Sequence, residues 1–292
     1  MIVSASRRTD VPCLYMAWLA ERLRAGYVLT RNPMNAGQVR QVSLRREDVE
    51  GLVLWSKQPA PLLAHLGALT GYTYYVQYTL NAYGPEMEPG LPSVQARLDT
   101  LRALVDAMGQ GAAGAPASRV LWRYDPILLS ERYTLAWHVE RFGEMARAVR
   151  GYTRRATVSF LDDYARTAKR MAALGARAPE DEEKRALAAA LAPIARENGL
   201  VLCTCAEEID LSAYGVGHAA CVDAALLSAL SGQRITARKD AGQRAACGCA
   251  RSVDIGAYHT CTNGCAYCYA NASQGAAARG AARHDPAGES LA

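Results

Sequence analysis

The chain has no apolar run approaching the roughly 18 residues that a membrane-spanning helix needs, although half of its 292 residues are apolar. A spanning helix is therefore not expected, and neither is a membrane partner. The N-terminus shows no charged leader, apolar stretch and cleavage site: Ile2-Val3-Ser4 runs straight on to Arg7-Arg8. We expect a cytoplasmic protein. A strong charge bias is missing too, because 33 Lys and Arg against 28 Asp and Glu leave a net charge of only +5. Patches such as Arg40 to Arg46 and Arg150 to Arg155 permit a nucleic-acid partner, but solvated helix faces account for them equally well. No internal repeat is present. The length suits one large barrel-like domain or two ordinary ones, and one domain over residues 1–272 is the expectation.

What the chain has in quantity is cysteine, nine residues in all. Without a secretion signal these argue for metal rather than disulfides, since a reducing compartment keeps thiols free. Three of them form Cys261-Thr262-Asn263-Gly264-Cys265-Ala266-Tyr267-Cys268, spaced x3 and then x2. One short loop with this spacing can wrap three irons of a cubane cluster and leave the fourth without a protein ligand. A tetrahedral zinc is served poorly by three cysteines so spaced, because it usually takes four ligands in paired knuckles or with histidines. The plain alternative is three reduced structural thiols.

Of the other six, Cys205, Cys221, Cys247 and Cys249 make four ligands, enough to close a second [4Fe-4S] cluster or a structural zinc site. Unliganded thiols are the third reading, and Cys203 could replace Cys205. Cys13 follows Pro12 at a helix opening and is expected to pack. His218 and His259 sit near enough in sequence to compete as ligands, but a lone histidine more often has a surface or hydrogen-bonding role.

Short apolar strands alternate with amphipathic helices, the pattern of an α/β fold with a parallel sheet. Strands are predicted at Ile2 to Ser6, Leu52 to Trp55, Tyr74 to Leu80, Arg119 to Tyr124, Thr157 to Leu161 and Leu200 to Cys203. Helices are predicted at Leu14 to Ala25, Pro61 to Leu69, Ser93 to Met108, Leu135 to Val149 and Glu180 to Glu197. Six units favour a partial or complete β/α barrel over an open sheet, and barrels place chemistry at the carboxyl ends of strands. There stand Ser6, Arg7, Arg8 and Asp10, then Lys57, then the segment Asn81 to Glu88, then Arg123 and Asp125. Each has a bland counterpart: Asp10 or Ser6 can cap a helix starting near Pro12, and Asp125-Pro126 is an ordinary turn former. Gln110 to Ala117 reads as a linker. The Ala-, Gly- and Arg-rich tail of residues 273–292 is expected to be disordered beyond its first turn.

The cysteine loop, down to Tyr267, resembles that of radical S-adenosylmethionine (SAM) enzymes, and Thr260 to Asn271 is similar to the loop of spore photoproduct lyase and its relatives. Glu88-Pro89-Gly90-Leu91-Pro92-Ser93 with Arg97-Leu98, Trp55-Ser56-Lys57, and Ser6 to Pro12 resemble further segments of that family. The order differs: that family opens its barrel with the cysteine loop, and this chain ends with it. Such a chain resembles a circular permutant, with its displaced first strand expected at Asp254 to Tyr258 and an iron-sulfur segment over residues 203–271. Near Ile2 to Arg8 there is no clear copy of the glycine-glycine-glutamate segment of those enzymes. Ser4 to Asp10, Trp122 to Pro126, Cys247-Gly248-Cys249 and Cys261 to Asn271 together also resemble a bacterial family catalogued as domain of unknown function 1848.

The resemblance implies an enzyme that reductively cleaves SAM at a three-cysteine [4Fe-4S] cluster, with an electron from a reductant such as flavodoxin or ferredoxin. The radical so made would act on an unidentified substrate, with one related to nucleotides or nucleic acid as the expectation by analogy. Tyr267 would pack on the adenine side. Ser6, Arg7, Arg8, Asp10 and Lys57, with Gln77, Glu88, Arg123 and Asp125, would hold SAM or substrate. The rival is a non-radical iron-sulfur or zinc protein with a structural or electron-carrying role.

Overall fold

The structure, a computed structural model, describes residues 1–109 and 118–292; the expected linker Gln110 to Ala117 lies outside the described residues. Eight strands form one sheet in which every neighbouring pair is parallel. In chain order they are β1 (Ile2–Ala5), β4 (Gly51–Ser56), β5 (Tyr74–Thr79), β6 (Val120–Ile127), β7 (Arg155–Phe160), β8 (Val201–Thr204), β9 (Gly217–His218) and β10 (Ser252–Asp254). An antiparallel hairpin, β2 (Tyr27–Asn32) and β3 (Asn35–Ser43), follows β1 in the chain and stands apart from the sheet. Across the sheet the order is β10-β1-β4-β5-β6-β7-β8-β9. Among the described residues no pair joins β9 to β10, so the ladder has two ends.

Nine helices are described: α1 (Val11–Leu14), α2 (Met16–Ala25), α3 (Ala60–Leu63), α4 (Val94–Gly109), α5 (Leu135–Ala148), α6 (Ala165–Ala173), α7 (Asp181–Glu197), α8 (Ala224–Ser231) and α9 (Gln274–Ala282). The expected helix from Leu14 is two helices, because the chain turns at Tyr15 after Asp10 has capped α1 through Cys13 N at 3.1 Å. Pro61 to Leu69 likewise divides into α3 and a 3-10 turn.

Side chains of a strand alternate between faces, and that alternation organises the molecule. Val3 and Ala5, Leu52 and Leu54, Val76 and Tyr78, Trp122 and Tyr124 are buried in one core with Trp18 of α2, Leu101 of α4, Phe142 of α5 and Leu187 of α7. The alternate set, Ile2, Val53, Tyr75 and Leu121, lines the opposite face and packs on Leu227 and Leu230 of α8 and on Cys221, Cys247 and Cys249. Ser4, Trp55, Gln77 and Arg123 share the parity of this second set and continue it toward the carboxyl ends of the strands.

β10 pairs with β1 in the register Ile2↔Ser252, Val3↔Val253 and Ser4↔Asp254, so the two ends of the chain's sheet-forming part meet at one ladder. The strand expected at Asp254 to Tyr258 thus ends where it was to begin. Asp254 turns the chain there, accepting bonds from Ser6 Oγ at 2.6 Å, Arg7 N at 2.8 Å and Gly256 N at 3.0 Å.

The tail of residues 273–292 is ordered, against expectation. Ser273 caps α9 through Ala276 N at 3.1 Å, and α9 lies so close to the loop before the cysteines that a Cβ on Gly280 would come within 1.8 Å of the His259 carbonyl oxygen. The small residues that looked like disorder are what allow that approach. Beyond α9, Trp18 Nε1 donates to the Gly288 carbonyl at 2.9 Å, Leu29 N donates to that of Glu289 at 2.8 Å, and Leu291 is buried.

Candidate functional site

At the carboxyl end of the sheet a buried ionic cluster sits beside the three-cysteine loop. Glu88 is 3 % exposed. It accepts from Lys57 Nζ at 3.0 Å, from Arg97 Nη1 at 3.1 Å and from the Tyr267 hydroxyl. Burial alone would push the Glu88 carboxyl up, but Lys57 and Arg97 hold it below the usual carboxylate range. Burial works the other way on Lys57, and Glu88, with the nearby Cys265 sulfur, keeps its ammonium protonated. Lys57 Nζ also donates to Tyr267 Oη at 2.7 Å and lies over that ring. Glu88 is thus a brace with both oxygens engaged by protein, and Lys57 is the member with exposure left.

The loop is tied to this cluster through its backbone. Ala266 N donates to the Met87 carbonyl at 2.8 Å, and Gly90 N to that of Asn263 at 3.0 Å. Gly264 takes φ of +74°, and its bare Cα faces Pro89 and Gln274, both of which a Cβ would crowd. Asp10, besides capping α1, accepts from Lys57 N at 2.8 Å and Asn263 Nδ2 at 3.1 Å, so one carboxylate joins β1, β4 and the loop. Burial raises its pKa against those hydrogen bonds.

Cys261, Cys265 and Cys268 lie within electrostatic range of one another. Burial pushes the Cys261 thiol up to about 12 and that of Cys265 higher still, with Lys57 opposing the rise at Cys265. All three are free. The three cysteines offer sulfur donors of the kind a thiophilic centre takes, and the neighbouring His259 accepts from Ala272 N at 3.0 Å through Nδ1. Asn271 Nδ2 donates to the Cys261 carbonyl at 2.7 Å, while its buried Oδ1 has no partner among the described residues. The outer side of the loop borders a groove of 660 Å³ lined by Arg8, Tyr164, Arg166, Tyr258 and Tyr269, among others.

The second cysteine set lies elsewhere, on the face opposite the main helices. Cys205 and Cys221 bring their sulfurs to 2.6 Å, Cys221 is within hydrogen-bond reach of Cys249, and Cys249 of Cys247. The contacts are pairwise: among the described residues no three or more His, Cys, Asp or Glu side chains surround a common ion position. Arg123 Nη1 donates to Cys221 Sγ at 2.6 Å, and its Nε to Asp125 Oδ2 at 2.9 Å. The guanidiniums of Arg7 and Arg123 both lie over the Trp55 ring, at 5.3 and 5.5 Å. Gln77 Nε2 and the Tyr75 hydroxyl each donate to the Cys221 carbonyl at 2.7 Å. Arg123 holds the Asp125 carboxyl low against the upward push of burial.

The expected site residues therefore fall into two groups. Asp10, Lys57, Glu88 and Tyr267 gather at the three-cysteine loop, whereas Arg7, Gln77 and Arg123 face the four cysteines. Asp125 stands between, and Ser6 serves Asp254 rather than either cysteine set. Arg8 is peripheral, over the Tyr258 ring at 5.3 Å. Cys203 neighbours Arg155 and Asp223 instead of the other cysteines, and His218 bonds Thr204 Oγ1 at 2.9 Å. Within the basic patches, Arg155 pairs with Asp223 at 3.0 Å and Arg46 lies over the Tyr72 ring.

Asn81, which opens the polar segment expected after the third strand, exchanges bonds with the Asp125 backbone at 2.7 and 2.8 Å and reaches Tyr267 Oη at 3.3 Å. Sequence reasoning missed Glu207, whose carboxyl accepts from Phe160 N at 2.9 Å and is raised to about 7 by burial.

No curated protein matches the chain. The family model described as domain of unknown function (DUF1848) matches residues 2–270, a span that takes in both cysteine sets and all eight strands of the sheet. The chain belongs to the DUF1848 family.

Proposed function

We propose that this protein is a radical SAM enzyme, with Cys261, Cys265 and Cys268 holding a [4Fe-4S] cluster at one end of a circularly permuted β/α barrel. The observation that supports it most is the β10–β1 ladder. It joins the last strand to the first and leads directly into the x3/x2 loop, at the end of the sheet where Asp10, Lys57 and Glu88 meet. When bound, such a cluster offers an open iron to the amino and carboxylate groups of SAM and the electron, drawn from a flavodoxin or ferredoxin, that splits SAM into methionine and a deoxyadenosyl radical able to take a hydrogen atom from substrate.

The chain's own residues supply placement. Lys57 keeps a positive charge beside Cys265 and fixes the Tyr267 ring, Glu88 and Arg97 brace Lys57, and Asp10 pins the loop through Asn263. The unpartnered Asn271 Oδ1 is an acceptor for the SAM amino group. Arg8, Arg166 and the tyrosines of the neighbouring groove suit an anionic substrate with a flat ring, such as a nucleotide.

Anaerobic reconstitution with iron and sulfide tests the reading. The reduced protein should give an electron paramagnetic resonance signal that shifts on adding SAM, and should form 5′-deoxyadenosine; Cys265→Ala should do neither while staying folded. Deoxyadenosine formation persisting in Cys265→Ala, or none from the reconstituted wild type under strong reduction, would sink it.

A further inference from the structure

The four cysteines on the opposite face lie outside that reading. They come from three places: Cys205 directly after β8, Cys221 shortly after β9, and Cys247 with Cys249 in the stretch leading to β10. That last stretch is hard to account for. Residues 232–251 contain only turns, bends and one bridge, Lys239↔Ala250, yet Cys247, Cys249 and Ala250 are buried against the sheet. A long irregular segment inside a compact fold ordinarily needs an anchor of its own, and sulfur–sulfur contacts by themselves are too weak to provide one.

We infer that Cys205, Cys221, Cys247 and Cys249 form a closed four-thiolate metal site, with Arg123 and Arg7 as its charge partners. Cys205 and Cys221 bring their sulfurs to 2.6 Å, Cys249 lies within reach of Cys221 and of Cys247, and Cys221, Cys247 and Cys249 are buried in one cluster that Cys205 packs against. Two donors already point at sulfur, as metal-bound thiolates require: Arg123 Nη1 to Cys221 at 2.6 Å and Val222 N to Cys249 at 3.4 Å.

The charge fits as well. Four thiolates around a zinc ion or a [4Fe-4S] core leave a net double negative charge. A dianion at a buried face needs cations beside it. Arg123 is 5 % exposed, and Arg7, whose buried Nη2 has no hydrogen-bond partner among the described residues, lies within electrostatic range of Cys249, Cys221 and Cys247 as well as Asp254. With four protein ligands the site has no open position, so its role is to fasten the segment and not to bind substrate.

The experiment measures iron, zinc and acid-labile sulfide per full-length chain, purified anaerobically, in Cys265→Ala, Cys265→Ala/Cys221→Ala and Cys265→Ala/Cys203→Ala. The first should keep about one zinc, or about four iron with about four sulfide, and this distinguishes the ion from the cluster. The Cys221 double variant should lose that metal and the Cys203 double variant should retain it. A metal-free Cys265→Ala protein, or one whose metal survives loss of Cys221, overturns the proposal. So does a disulfide among the four cysteines in the purified chain. If the Cys221 double variant does not fold, hydrogen exchange on Cys265→Ala before and after chelation decides: removal of metal should speed exchange in residues 234–251 by about tenfold or more, as expected for loss of a local anchor, and unchanged exchange there overturns the site. Because the measurements use Cys265→Ala, the radical SAM reading can fail without touching this one.

Discussion

Glu88→Ala should be among the most destabilising single substitutions at the carboxyl end of the sheet, for a reason that can be separated from any role in chemistry. The carboxylate joins two cations of unequal burial: the Arg97 side chain is 2 % exposed and that of Lys57 17 %. Without Glu88, Lys57 can turn toward water. Arg97 cannot, and keeps only the Asn81 carbonyl at 2.9 Å, with its Nε already lacking a partner. Breaking a buried pair from one side costs about 3–5 kcal/mol, a large part of the 5–15 kcal/mol typical of a folded domain. Lys57→Ala removes the Lys57 bonds to Glu88 and to Tyr267, but Glu88 keeps Arg97 and Tyr267 and Tyr267 keeps Glu88, so no buried charge is left unpaired and the cost is about 1.5–3 kcal/mol.

Urea unfolding followed by circular dichroism measures both, and Glu88→Ala/Arg97→Met supplies the control. Removing both buried charges should recover part of the loss. The acid limb gives a second check on the same group. Its folded pKa is depressed, so its contribution is fully present above the ordinary value of 4.5 and is lost only as the pH falls through the lower folded value. Glu88→Gln should flatten that limb. A Glu88→Ala cost within about 1 kcal/mol of zero, or one smaller than that of Lys57→Ala, would refute the reasoning from burial.

Three further outcomes are expected. His138 donates from Nε2 to the Leu128 carbonyl at 2.7 Å and accepts from Tyr124 at Nδ1, and burial lowers its pKa from 6.5 to about 4. The unfolded chain therefore takes up the proton first, and stability should fall by about 3 kcal/mol as pH drops from 6.5 to 4, a loss that His138→Gln should remove. Glu207 has the opposite sign: with its folded pKa raised to about 7, stability should decline by about 1–3 kcal/mol between pH 4.5 and 7, and Glu207→Gln should exceed wild type at pH 8 but not at pH 4. Because these two windows overlap, each must be read as a variant-minus-wild-type difference across the pH range. Leu291→Ala should cost about 2–4 kcal/mol in urea unfolding, as for other buried leucines, and should red-shift the emission of Trp18, which donates to the Gly288 carbonyl; an unchanged spectrum and midpoint would mean that the tail does not pack as described.

How much of this could be read from sequence depended on the range of the interaction. Leu52 to Trp55 and Tyr74 to Leu80 declare themselves as strands because both faces are buried, and the observed Gly51–Ser56 and Tyr74–Thr79 differ by a residue at each affected end. The hairpin of β2 and β3 was not legible, since Arg31, Asn32, Asn35, Gln38 and Arg40 give it no apolar alternation to detect. The tail was misread for a related cause. Its anchors are carbonyl oxygens of Ala287, Gly288 and Glu289 meeting Arg22, Trp18 and Leu29, contacts more than 250 positions apart that composition does not encode. Closure of the sheet into a barrel was inferred from a count of units, and a count carries no information about whether β9 reaches β10.

The two cysteine sets owe their separation to strand parity. On β6, Arg123 and Asp125 point to the same face two residues apart, so one guanidinium can bond both Cys221 and the carboxylate that follows it. Asp125 is held in turn by Asn81 through its backbone and by Ser159 through its side chain, and Asn81 touches Tyr267 of the three-cysteine loop. The path Cys221–Arg123–Asp125–Asn81–Tyr267 is therefore a run of hydrogen bonds among buried and half-buried groups. In such surroundings each bond polarises the next, and an unpaired member costs more than a lost bond in water. A perturbation at Arg123 cannot stay local, because it leaves Asp125 and Cys221 short of a donor together. The Glu88 brace lies at the far end of the same path, where Tyr267 donates to it, so the stability of one cysteine site is physically part of the environment of the other.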